Sequence, residues 1–296
     1  MQDRWQHQQE VHTYLQRYFP GQAWEFSLPE GTGSETYFAH TKERSYFVKL
    51  GAQASRYQSA ASIGLTPEVL AVGLLQDGTS ILVQPFVAGR KPSRRDYQTR
   101  LEQFATAISK LHASPELKKV LPKASSDLYR LLGMQALARL KQKWALYKAQ
   151  VPKIAGFIDE SLEMLEQQLN TFTGAGLVVS HNDICNANWL VSADGHLYLI
   201  DFDSMELDDP AVDIGATLWW YYPPELRQRF LGVAGHAGDK AFEVRMRVRM
   251  TMHCLNICLP RQYGFDRFDP AAFTGGLADY RACLAGEENP QGYTDI

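Results

Sequence analysis

His181-Asn182-Asp183, Asn188 and Asp201 bring together side chains that could hold a phosphoryl donor, its metal and an acceptor hydroxyl. Asp183 and Asn188 are five positions apart, and Asn188 and Asp201 are thirteen apart. Phosphoryl transfer asks a protein for positioning and charge neutralisation rather than covalent chemistry. A carboxylate beside the acceptor hydroxyl receives or orients its proton. Magnesium needs oxygen ligands, and one carboxylate with one amide suffices because substrate oxygens and water complete the shell. Asp183 suits the first task, and Asn188 with Asp201 suits the second. The spacing is that of an H-x-D-x-x-x-x-N loop followed by a D-F pair.

Positioning falls to short apolar strands over residues 177–180, 189–191 and 197–200. A hairpin turning at Asp194-Gly195 is expected to return Asp201 beside Asn188. Upstream, the pattern predicts a helix over residues 1–19, strands over 23–28, 36–39, 45–50, 69–74 and 80–83, and a short helix over 53–63. Residues 84–89 read as a connector. Helices are expected over 101–111, 128–146 and 154–169, and mostly helix from Pro224 onward. The domains are read as a small sheet-rich lobe over residues 1–87 and a larger helical lobe over 88–296.

In the first lobe, Lys49 lies within the apolar run Tyr46-Phe47-Val48-Lys49-Leu50. An unpaired buried lysine is costly, so it should face a phosphate or a carboxylate, unless its stem lies along the sheet and its head reaches water. Gly31-Thr32-Gly33-Ser34-Glu35 offers backbone N–H groups for phosphate, or an ordinary hairpin turn.

With these motifs the chain resembles the aminoglycoside phosphotransferase and choline kinase superfamily. The resemblance spans most of the chain and is most specific over residues 180–218. It implies an α+β, two-lobed, protein-kinase-like fold with a small antiparallel-sheet N-lobe and a larger, mainly helical C-lobe. It implies an ATP- and Mg2+-dependent enzyme that moves the γ-phosphoryl group to a hydroxyl of a small molecule. Asp183 would be the catalytic carboxylate, and Asn188 and Asp201 the magnesium ligands. Lys49 would bind the α- and β-phosphates, with Gly31, Gly33 and Ser34 covering them. Asn182 stands where the family usually has Gly. His181 would brace the loop rather than react. Asp213, in Asp209-Pro210-Ala211-Val212-Asp213-Ile214-Gly215, would accept N–H bonds from the catalytic loop. Asp203 either touches a second magnesium or finishes the turn. Gln84, Phe86 and Val87 flank Pro85 at the adenine hinge; Pro85 has no N–H, so Phe86 or Val87 must donate.

One expected part is missing. Such sites pair the strand lysine with a helix glutamate, and residues 52–64 contain none. Gln53 or Gln58 would have the reach, or Asp201 alone would hold Lys49. The gap keeps open a non-catalytic, nucleotide-binding regulator. A kinase of protein side chains is a further alternative, against which stands the lack of an A-P-E segment.

The acceptor is less defined. Asp203, Glu206, Asp208, Asp209 and Asp213, with Asp279, Glu287 and Glu288, could form an acidic rim for a cationic, aminoglycoside-like or choline-like molecule, or an ordinary solvated surface. Trp219-Trp220-Tyr221-Tyr222 could build a cation–π box, or divide between core and surface. Cys254 and Cys258, with His253, are a conceivable metal pair, although free cysteine commonly packs in cores. A formal charge of −3 over 296 residues gives no footprint for nucleic acid. No apolar run reaches the roughly 18 residues of a membrane span. The polar start lacks a signal peptide's apolar segment, and the few cysteines fit a reduced, cytoplasmic protein.

Overall fold

A computed structural model describes residues 7–28, 35–123, 128–172, 176–260 and 267–290. The first part of the chain runs α1 (Gln8–Tyr18), β1 (Glu25–Ser27), β2 (Thr36–His40), β3 (Ser45–Leu50), α2 (Ala54–Ser62), β4 (Ala71–Leu74), β5 (Ser80–Pro85) and β6 (Gly89–Arg90). Five of these strands form an antiparallel sheet in the order β1-β2-β3-β5-β4. Successive strand side chains point to opposite faces. Tyr46, Val48 and Leu50 of β3 therefore pack in one cluster with Val11 and Leu15 of α1. Lys49 points the other way.

The strand β5 runs two residues further than its apolar pattern suggests. Phe47 pairs with Gln84 and Tyr46 with Pro85, so the expected connector begins as strand. Pro85 is tolerated as the last residue because the ladder there needs no N–H from it; Phe86 N–H resumes the bonding to Ser45 O at 2.9 Å.

The remaining elements are α3 (Arg94–Thr99), α4 (Leu101–Ala113), α5 (Pro115–Lys119), α6 (Leu128–Ala145), α7 (Pro152–Thr171), β7 (Val178–Ser180), β8 (Trp189–Ser192), β9 (Leu197–Leu199), β10 (Glu206–Asp208), α8 (Ala211–Tyr221), α9 (Pro224–Val233), α10 (Lys240–Cys258) and α11 (Pro270–Ala285). The chain divides into two compact units: residues 1–91, 115–120 and 187–204 form one, and residues 92–114, 121–186 and 205–296 form the other.

In the first unit, β8 and β9 form the expected hairpin, with β6 on its outer edge. Gly195 turns it at φ 86°, a left-handed conformation that glycine adopts without steric cost. Gly89 pairs with Ser192, and a Cβ there would stand 2.6 Å from Val191 O. The second unit is mostly helical around a core that includes Ile158, Leu162 and Leu165 of α7, Val248 and Leu255 of α10, and Leu277 and Tyr280 of α11. Its short strands β7 and β10 pair antiparallel, Ser180 opposite Glu206. Cys254 packs in that core, while the Cys258 thiol donates to Gly276 O at 3.1 Å. Among the described residues no three His, Cys, Asp or Glu side chains converge as a metal cluster. No described helix is long and apolar enough to cross a membrane.

Candidate active site

Lys49 is only 3% exposed. Its ammonium lies 2.7 Å from Asp201 Oδ1 and 2.7 Å from Asp203 Oδ2, and donates to the Tyr57 hydroxyl at 2.9 Å. Two carboxylates and a hydroxyl thus compensate the buried charge, which would otherwise be expensive. Tyr57 projects from α2, the helix that lacks glutamate. Burial, with Asp203 and Asp201 beside it, pushes its hydroxyl pKa up. It therefore stays protonated and donates to Asp203 Oδ1 at 2.9 Å. Arg56, from the same helix, donates to the Phe202 and Asp203 carbonyls at 3.1 and 2.6 Å. The neutral amides Gln53 and Gln58 are not the partners; Gln53 occupies the N-cap position of α2.

The β8–β9 hairpin accounts for Asp201 and Asn188. Asn188 is the buried residue just before β8, and Ile200 N–H donates to its carbonyl at 2.9 Å. The residue after Ile200 is Asp201, with φ 65°. A non-glycine residue in this region is uncommon, and Asp is among the side chains that tolerate it. An oxygen donor set of one amide and one carboxylate on the two arms of a hairpin fits a hard cation such as Mg2+.

Gln84 is buried, and its Nε2 donates to Pro67 O at 2.6 Å. Phe86 lies edge-on to Phe38, and its N–H is already given to Ser45 O. Gly31, Gly33 and Ser34 lie outside the described residues.

In the second unit, His181, Asn182 and Asp183 follow β7. Asp213, fully buried in the first turn of α8, accepts from His181 N at 2.8 Å, Asn182 N at 3.0 Å and His112 Nε2 at 3.0 Å. Burial alone would raise its pKa. The His112 hydrogen bond, the His112 and His181 charges and the His181 N–H outweigh it, and the pKa falls below the ordinary 3.8. Asn182 adopts φ 60°. Tyr221 accepts from Asn186 N at 2.7 Å, and Tyr97 donates to Asn186 Oδ1 at 3.0 Å; the two rings stack at 4.7 Å.

Asp183 is exposed and lines a cleft of about 690 Å3 that lies wholly within this unit. Trp220, Tyr221, Glu206 and His253 are also on its walls. His253 is solvent-accessible yet ringed by protein. That crowding lowers its pKa, against the pull of Asp183. The aromatic run divides: Trp219, Tyr221 and Tyr222 are buried, Tyr221 reaching the cleft wall only in part, and Trp220 lines the cleft more openly.

The expected acidic rim is largely consumed by internal partners. Asp208 meets Arg249 at 2.6 Å, and Asp209 meets Arg245 at 3.1 Å. Burial still pushes the Asp208 carboxyl up, Arg249 opposing it. Asp203 serves Lys49, Asp279 is buried, and Glu288 pairs with Arg227 at 2.9 Å. Glu206 remains exposed. Sequence reasoning missed Tyr57, Arg245, Arg249 and His112. The spacing of Arg245 and Arg249, one helical turn apart, was the available signal for a cationic face meeting Asp208-Asp209.

Residues 27–249 match the profile of the phosphotransferase enzyme family. The chain belongs to that family. Its fold is similar to a choline kinase from Streptococcus pneumoniae, with a TM-score of 0.65 at 16% identity, covering 95% of this chain and 99% of the other. A choline/ethanolamine kinase family protein from Mesorhizobium loti gives 0.67 at 17% identity, with 96% of each chain covered. A spectinomycin phosphotransferase in complex with ADP and spectinomycin gives 0.58 at 15% identity, covering 96% and 95%. The phosphotransferase is thus an α+β enzyme with a kinase-like fold, as its motifs imply.

Proposed function

We propose that this phosphotransferase moves the γ-phosphoryl group of ATP to a hydroxyl of a small, amine-bearing molecule. The observation that carries the reading is the exposed Asp183 carboxylate on the wall of a cleft of about 690 Å3, a volume suited to a small ligand rather than a polypeptide. Asp183 accepts the proton of the acceptor hydroxyl. Asp213 holds the loop that carries it. Asn188 and Asp201 would hold Mg2+, which supplies neutralisation of phosphate charge when bound. Lys49 takes the phosphates, and of the two hinge candidates Val87 is the donor to the base, since Phe86 N–H is engaged with Ser45 O. Trp220 offers an aromatic ring to a cationic amine, and Glu206 a charge. The choline, ethanolamine and spectinomycin named for the similar structures support an amine-bearing acceptor.

A non-catalytic nucleotide binder is favoured only by the missing helix glutamate, and the two carboxylates at Lys49 remove that ground. The test is Mg2+-dependent ADP release from ATP across a panel of amino alcohols, aminoglycosides and neutral sugars. Turnover with at least one amine-bearing acceptor is expected. Clean ATP binding with no turnover on any acceptor would count against the proposal, and turnover confined to neutral sugars would count against the amine.

A further inference from the structure

A lysine ammonium has three N–H donors, and at Lys49 three protein oxygens face them: Asp201 Oδ1, Asp203 Oδ2 and the Tyr57 hydroxyl. A phosphate oxygen bound by Lys49, as the proposed function requires, must displace one of these three.

They are not held equally. Asp203 receives the Tyr57 hydroxyl on its other oxygen, and Arg56 grips its backbone carbonyl. Tyr57 is anchored by burial on α2 and lies edge-on to Phe202 at 5.7 Å. The two carboxylates are equally open to solvent, at 43% for Asp201 and 42% for Asp203, but the Asp201 carboxylate has Lys49 as its one side-chain partner among the described residues. It is also the carboxylate to which the cation falls. Resting on the proposed function, we infer that Asp203, braced by Tyr57, positions Lys49 when nucleotide binds, and that Asp201 is the partner Lys49 gives up. Asp203 then does the work of the missing helix glutamate, and Tyr57 connects it to the helix. Asp203 is a positioning residue here, neither a second metal ligand nor a simple turn residue. Both carboxylates come from one three-residue stretch, Asp201-Phe202-Asp203.

The test reads nucleotide affinity rather than turnover: ADP binding by calorimetry, with Mg2+ and in EDTA, alongside thermal unfolding. Losing a charge-assisted partner should make D203N bind ADP at least about tenfold more weakly in both conditions. Y57F removes the hydroxyl between Lys49 and Asp203 and should lose about two- to tenfold, less than D203N because the Asp203 carboxylate itself remains. D201A should lose affinity only with Mg2+; in EDTA it should bind at least as tightly as wild type, since a competitor for Lys49 is gone. Y57E in the D203N background returns a carboxylate from the helix side and should recover most of the lost affinity, an effect a purely structural role would not give. D203N binding like wild type, or D201A and D203N losing affinity equally in EDTA, would overturn the inference alone. Should D203N not fold, Y57F carries the test, and affinity within about twofold of wild type in both conditions overturns it. Wild-type protein that binds no ADP would instead overturn the functional reading on which the inference rests.

Discussion

His112 Nε2 lies 3.0 Å from Asp213 Oδ2, the oxygen that also accepts the His181 N–H at 2.8 Å. One buried carboxylate thereby ties α4 and α8 to the loop that carries Asp183. Replacing Asp213 with Ala leaves one buried and one part-buried backbone donor, and a histidine, without their acceptor. Such a change in a buried charged network costs about 3–5 kcal/mol. We expect a matching fall in stability in urea titrations and loss of transfer, with Asp213→Asn intermediate. Because folding lowers the Asp213 pKa, its contribution is present above 3.8 and is lost as pH falls through the lower folded value.

Asp183 has a narrower part. Asp183→Asn keeps the size of the side chain and removes the proton acceptor. Turnover should fall by about 10²–10⁴-fold, while ADP affinity stays near wild type. Measuring kcat beside ADP binding checks this; an equal loss in both would mean that Asp183 serves the nucleotide.

Trp220 offers an aromatic face to the cleft, while its neighbour Trp219 is in the core. A cation–π contact contributes about 0.5–2 kcal/mol. Trp220→Ala should therefore raise KM for a cationic acceptor and leave KM for ATP unchanged. A comparable rise for a neutral acceptor would show that the ring contributes only shape.

His7 joins three parts of the first unit, standing 2.7 Å from Glu35 Oε2 and 3.1 Å from Asp77 Oδ2. The hydrogen bond to Glu35, opposed by burial and assisted by Asp77, raises its pKa above the ordinary 6.5. A raised folded value means that His7 contributes its full stability below pH 6.5 and loses it as pH rises through the folded pKa. Thermal unfolding of wild type should show a falling Tm over that window. His7→Gln should flatten it, and an unchanged slope would remove His7 from the account.

The β8–β9 hairpin and the buried strand lysine were legible from residue types, because each depends on a local rule of period or turn. The partner of Lys49 was not. Tyr57 and Asp203 are 146 positions apart, and no periodicity links a helix tyrosine to a loop carboxylate. The acids from Asp203 to Asp213 read as one acidic surface because charge is visible in sequence while its compensation by Arg245 and Arg249 is not. β10 went unread for the same reason: a three-residue strand with an acid at each end looks like a loop until β7 pairs with it. Pro85 hid the end of β5, since proline ordinarily argues against strand.

The backbone of Asn182 sits in the left-handed region at φ 60°. At such a position asparagine and glycine are nearly interchangeable, whereas a β-branched residue would be strained by about 1–3 kcal/mol. The departure of this chain from the glycine its motif resembles is therefore conformationally silent. Mutational drift at residue 182 is confined to a very short alphabet, and a screen of all side chains there should return Gly, Asn and Asp and little else.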